Sequence, residues 1–199
     1  MPVRQVGRRR DLPARRVTVR DTALVGPTET AVIVPMPEAE DAVGSVRAEL
    51  DQSAGWGVPP HVTVLYPFLA PERLDDPVLT AVAEAVSTVP AFDVVFPRVE
   101  WFGDTVVWLA PEPDHPFRAL SHAVWERFPD RPPYGGVYLD LVPHLTIGHD
   151  APVALLRAAA DAVRPRLPIR GRVAVAQLIE GSREPASWHT VAEFPLGLS

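Results

Sequence analysis

The chain has neither cysteine nor lysine among its 199 residues. Without cysteine there can be no disulfide, no cysteine nucleophile and no thiolate metal ligand. A cysteine-free chain suits a reducing compartment, and a cytoplasmic location is expected. With lysine absent, all 19 basic residues are arginine. Abundant alanine, valine and proline beside them point to a biased genomic composition, so arginine enrichment is weak grounds for phosphate binding. No apolar run approaches the roughly 20 residues that a membrane helix needs. The arginine-rich start has no apolar core of a secretory signal. Two common chemistries are missing as well. No serine sits in a Gly-x-Ser-x-Gly turn, and there is no glycine-rich phosphate loop.

What remains is globular in composition, with 47% apolar and 22% charged residues. The charge is uneven. Residues 1–20 carry seven Arg and one Asp, net +6, and the rest carries 12 Arg and 24 acids, net −12, giving −6 in all. An acidic body is a poor match for long nucleic acid, whose affinity comes largely from neutralised phosphates. A small anionic substrate, or only the end of an RNA, suits it better. Residues 1–22 read as a basic, disordered extension. The Arg8-Arg9-Arg10 and Arg15-Arg16 clusters leave open a nucleic-acid arm. Residues 23–199 read as one bilobal domain, with no membrane attachment and no obligate protein partner expected.

One short signature occurs twice. Pro60-His61-Val62-Thr63-Val64 recurs as Pro143-His144-Leu145-Thr146-Ile147, its histidines 83 positions apart (144 − 61). Alternate side chains of a strand point to opposite faces. In each copy His and Thr therefore share one face, and the two aliphatics share the other, which should be buried beneath helices.

Around the motifs the pattern divides into two comparable halves. Residues 30–34 read as a buried strand, and Glu38 to Leu50 has helical apolar spacing. The first motif strand follows at His61 to Tyr66, then a helix from Pro77 to Val86 capped by Asp75 or Asp76. Ala91 to Phe96 and Thr105 to Ala110 read as strands. A helix from Phe117 to Phe128, the second motif strand and a helix from Val153 to Val163 come next. Arg172 to Ile179 and Trp188 to Phe194 close the chain as an antiparallel pair. Strand, helix, motif strand, helix thus appears in both halves. The expected fold is α+β, pseudo-twofold, with two antiparallel sheets lining a central groove and helices outside.

Two histidines facing one another suit phosphoryl chemistry. Imidazole titrates near neutrality, so one ring can accept a proton while the other donates one. In-line displacement at phosphorus needs a base for the attacking oxygen and an acid for the leaving oxygen. Thr63 and Thr146, on the same faces, can bind the non-bridging phosphate oxygens. A single His-x-Thr on a strand is usually a core histidine beside a β-former, but matched pairs with the same proline before them are not. A metal site is the other alternative. Neither motif has a second His at i+2 or i+4, and only His149 and Asp150 follow the second copy.

These residues resemble the two-histidine phosphoesterase superfamily, the 2′-5′ RNA ligase-like and cyclic phosphodiesterase family. It is defined by two His-x-Thr/Ser motifs about this far apart. The resemblance covers roughly residues 28–195. The segment from His61 to Phe68 and the Pro132-Pro133-Tyr134 loop look like one bacterial branch. The resemblance implies a bilobal duplicated fold and metal-independent opening of 2′,3′-cyclic, related cyclic or 2′-5′ phosphodiesters of nucleotides or RNA ends, with reversible ligation in some members. It implies no metal and no cofactor. It makes His61 and His144 catalytic and Thr63 and Thr146 phosphate-binding. Relatives often carry Arg five residues after the second histidine; here His149 stands there and becomes a candidate groove residue. Tyr66 and Phe68 either line the groove's end, as a stacking surface for a base, or pack in the core. Arg131 and Arg183 either reach a phosphate or are solvated. His115, His122 and His189 read as surface or structural, and Trp101, Trp108 and Trp125 as core. The rival function is a non-catalytic RNA-end or nucleotide binder that keeps the groove.

Overall fold

A computed structural model describes residues 26–137 and 140–198. The basic extension expected over residues 1–22 lies outside them. Among the described residues, eight strands form two four-stranded antiparallel sheets. The first lobe opens with β1 (Glu29–Pro35), α1 (Glu40–Leu50), the short α2 (Gln52–Gly55), β2 (His61–Leu65) and α3 (Asp76–Ser87). The second has β3 (Phe92–Phe102), β4 (Val106–Glu112), α4 (His115–Arg127), β5 (Leu145–His149) and α5 (Val153–Val163). The chain ends with β6 (Ile169–Val173), β7 (Val175–Gly181) and β8 (His189–Pro195). The sheet orders are β2-β1-β7-β8 and β5-β4-β3-β6, so each motif strand lies at a sheet edge beside the first strand of its repeat.

Local sequence explains the helix starts. The Asp75 side chain accepts from the Val78 N–H at 3.0 Å, satisfying a backbone donor that the first turn of α3 leaves free. In α5, Leu156, Ala159, Ala160 and Val163 recur at helical spacing and are the residues it buries. The helix expected from Glu38 opens instead as a 3₁₀ turn over Pro37–Ala39, and α1 begins at Glu40.

The expected strand from Arg172 to Ile179 is two strands. It breaks at Ala174, and β6 joins β3 in the second sheet while β7 joins β1 in the first. Both pieces carry strand-forming residues, so composition alone does not reveal that the chain changes sheets between them.

The lobes share one core. The helix leaving β1 packs on β5, and the helix leaving β4 packs on β2, so each lobe's helix supports the other lobe's motif strand. Val62, Val64, Leu145 and Ile147 are fully buried in this shared core, as the alternation requires. Burying each such side chain contributes about 1.5–3 kcal/mol. The packing that holds the fold therefore also presses the two motif strands toward one another.

Candidate active site

Both motif strands are bulged at equivalent places. In the first sheet Ile33 pairs with Thr63 and Val32 with Leu65, which leaves Val64 as the extra residue. In the second, Trp108 pairs with Thr146 and Val107 with Gly148, which leaves Ile147 as the extra residue. An extra residue shifts the phase of the alternation. Tyr66 and His149 are thereby returned to the face already occupied by His61/Thr63 and His144/Thr146. All six line one cavity of about 700 Å³ between the sheets.

The end of β2 at Leu65 corrects one expectation, because Phe68 lies past the strand and its N–H bonds the Thr30 carbonyl at 3.0 Å. Phe68 does not line the groove; it is 2% exposed and meets Phe128 edge-on at 4.9 Å in the core. Tyr66 takes the groove position, and its hydroxyl donates to Glu29 at 2.7 Å. Burial and that bond push the Tyr66 phenol up to about 12, so it remains protonated.

The two histidines are held alike. The Nδ1 of His61 lies 2.8 Å from the Pro59 carbonyl, and the Nδ1 of His144 lies 2.8 Å from the Val142 carbonyl. A carbonyl only accepts, so each neutral ring carries its proton on Nδ1 and leaves Nε2 as an acceptor. Neither threonine hydroxyl is engaged by another described residue.

Their surroundings differ. His144 packs edge-on to Phe102 at 5.1 Å and Trp108 at 5.8 Å, and this burial lowers its ring below the ordinary value. His61 is pushed down to about 4, first by burial and then by the Arg47 guanidinium. Arg47 is itself 2% exposed. Its guanidinium binds the Asp51 carboxylate at 2.8 and 3.0 Å and reaches the Val58 carbonyl at 3.4 Å. It therefore anchors the segment that carries Pro59 and His61.

The cavity wall is apolar on the first-lobe side. Ala31, Ile33, Val58 and Ile179 form a small cluster there, backed by Tyr66 and Trp188, and Trp56 adds a second indole to the lining. Trp188 fits because Gly181 has no side chain; a Cβ there would lie 2.5 Å from the indole. Trp56, Trp188, Asp51, Ser53 and Tyr134 also line the cavity, outside the two motifs. Trp56 lies between two glycines and Tyr134 follows two prolines, which was the available signal. Nothing marked Asp51.

Arg183 lies at the rim, 6.0 Å from the Trp56 ring and 3.7 Å from Glu29. Arg131 is not part of the lining. His115, His122 and His189 are exposed, as expected. Trp108 is buried and Trp101 packs against the core, but Trp125 is 40% exposed and not a core residue. It sits on the outer face of α4, where its indole reaches the Pro129 carbonyl at 3.4 Å. Among the described residues no three His, Asp or Glu side chains group as a metal site, and no helix is long and apolar enough to cross a membrane.

Comparison with known proteins places this geometry. The sequence profile of the 2′-5′ RNA ligase superfamily matches residues 35–185. No curated protein matches the sequence. Among solved structures, Thermus thermophilus TT0787 aligns with a TM-score of 0.60 at 18% identity, covering 86% of this chain and 99% of its own. Escherichia coli LigT in its apo form aligns at 0.55 and 18% identity, covering 87% and 99%. The same protein complexed with 3′-AMP aligns at 0.52 and 15% identity, covering 86% and 99%. At such identities the likeness is one of fold.

Proposed function

Because this chain belongs to the 2′-5′ RNA ligase superfamily, we propose that it opens 2′,3′-cyclic or related phosphodiesters of a nucleotide or RNA end without a metal. One observation carries the reading: two histidines with matching Nδ1 anchors share a cavity with two threonine hydroxyls, and no described residue engages either Nε2 or either hydroxyl.

His61 is the base. Burial and Arg47 keep its ring neutral, so Nε2 takes a proton from water as the oxygen attacks phosphorus. The P–O bond on the far side breaks, and the departing ribose oxygen takes a proton from His144 Nε2. Thr63 and Thr146 donate to the non-bridging oxygens and stabilise the charge that builds there. The products are a ribose hydroxyl and a phosphomonoester, and the rings regain their starting states by proton exchange. Since burial disfavours protonated His144, the anionic phosphate between the rings supplies the charge that holds its proton.

The apolar wall with Trp56 and Trp188 favours a substrate with an aromatic base over a bare phosphate ester. LigT complexed with 3′-AMP, ATP and NADP+ supports a nucleotide as the ligand class. Incubation with a panel of 2′,3′-cyclic nucleotides and cyclic-phosphate-ended RNA, with chelator present, tests the proposal. Conversion to phosphomonoester is expected. Tight binding without conversion would favour the non-catalytic binder.

A further inference from the structure

His149 is held from behind by a group that the acid–base chemistry does not use. Its Nδ1 is buried, makes no hydrogen bond among the described residues, and lies 3.6 Å from Asp51 Oδ1. Asp51 is 4% exposed and rigidly fixed. Its Oδ2 accepts both Arg47 bonds, and its Oδ1 accepts from the Ser53 N–H at 3.0 Å and the Ser53 hydroxyl at 2.7 Å. The close approach of α1 to β5 that places it there depends on Gly148, where a Cβ would come within 2.9 Å of Leu50 Cβ. Leu50 ends α1 and Asp51 caps it, and Gly148 and His149 end β5.

Resting on the phosphodiesterase reading, we propose that Asp51 is a positioning residue that aims His149 into the groove as a third, cationic contact for the substrate's phosphate. A doubly protonated imidazole donates from both nitrogens. Nδ1–H meets the Asp51 carboxylate, and Nε2–H is left for an anion in the cavity. Arg47 and Ser53 fill the acceptor sites of both Asp51 oxygens, so Asp51 faces the ring as the charge of an ion pair at 3.6 Å rather than as a further hydrogen-bond acceptor.

The charged and titratable neighbours of His149 are few. Arg47 comes from α1 and Asp51 from its C-cap, His61 from β2, His144 and Asp150 from its own segment, and Asp140 from elsewhere in the cavity lining. Its β4 partner Val106 and the α5 residue Leu156 beneath Gly148 carry no charge. Asp51 is the acid within ion-pair distance of the ring.

The test uses the full chain and inorganic sulfate, whose charge is constant between pH 5.5 and 7.5, with binding followed by NMR titration. His149→Gln should weaken sulfate binding at pH 5.5 by roughly 10-fold, the loss of one charge-assisted hydrogen bond. His149→Arg should bind at pH 7.5 at least as well as the parent does at pH 5.5. Asp51→Asn should weaken binding as His149→Gln does in the parent, but by less than about twofold in the His149→Arg background, where no proton is needed. If Asp51→Asn fails to fold, the two His149 variants still decide the phosphate contact. Parent-like sulfate binding by His149→Gln at pH 5.5 would overturn the proposal. Equal loss from Asp51→Asn in both backgrounds would also overturn it, because Asp51 would then be structural only. Sulfate binding needs no turnover, so a chain that binds as expected but opens no cyclic phosphate defeats the functional reading and not this one.

Discussion

Tyr66 and His149 occupy equivalent places in the two lobes. Each stands five residues after its motif histidine, each follows a one-residue bulge, and each faces a carboxylate, Glu29 for Tyr66 and Asp51 for His149. The duplication thus extends past the four motif residues to a third pair at the cavity wall. It is there that the lobes diverge chemically, one presenting a phenol held protonated and the other an imidazole.

If His61 and His144 act in one proton-transfer step, His61→Ala and His144→Ala each lower kcat/KM by about 10²–10⁴-fold. The double variant loses little more than the worse single one, since the two residues serve one transition state. Thr63→Val and Thr146→Val cost less, about 10–10³-fold. Steady-state kinetics on one cyclic nucleotide measures all five, and additive losses for the histidine pair would argue against a shared step.

The pH profile follows from the surroundings of the rings. His61 is lowered to about 4 and His144 lies below its ordinary 6.5. A neutral His61 with a protonated His144 is then most populated between these values. kcat/KM should be bell-shaped with its maximum on the acid side of pH 6.5, the limbs belonging to the coupled pair. A maximum above pH 7.5 would reverse the assigned environments.

The same shift links to stability. The folded state refuses a proton on His61 that the unfolded chain accepts below pH 6.5. The stability from neutral His61 is fully present above 6.5 and is lost as pH falls toward about 4. Urea unfolding at pH 7.5, 6 and 5 should show this decline, and His61→Asn should make it shallower, leaving the part that the lowered His144 contributes. An equally steep decline in the variant would exclude His61 as its source.

Two glycines serve close packing. A methyl at Gly148 would meet Leu50 and Leu156, and one at Gly181 would meet the Trp188 ring. Each Gly→Ala change should cost about 1–3 kcal/mol of stability by overpacking. Gly181→Ala should in addition raise KM by roughly 10-fold through displacement of Trp188, if that indole stacks on a base. Thermal unfolding with parallel kinetics separates the two effects.

Much of this was readable in advance, for identifiable reasons. The doubled Pro-His-x-Thr pattern has period 2, so it specifies which side chains share a face, and Val62, Val64, Leu145 and Ile147 are buried accordingly. The bulges at Val64 and Ile147 leave no mark in composition, and they decide that Tyr66 and His149 enter the cavity, while Phe68, past the end of β2, enters the core. The Arg47–Asp51 pair was invisible because its meaning comes from α1 packing on the other lobe's strand. Trp188 reaches the site from the β7–β8 connection, far along the chain from either motif. The break at Ala174 depends on which sheet has a free edge, a property of the assembled fold.

The most direct test of the account is ³¹P NMR of a 2′,3′-cyclic nucleotide incubated with the parent chain, His61→Ala and His144→Ala, each with EDTA present. The account predicts that the parent converts the cyclic resonance to that of a phosphomonoester at a rate unaffected by EDTA, and that each variant is slower by at least 10²-fold. Conversion that stops with EDTA and returns with a divalent ion, or that proceeds unchanged in both variants, would contradict it.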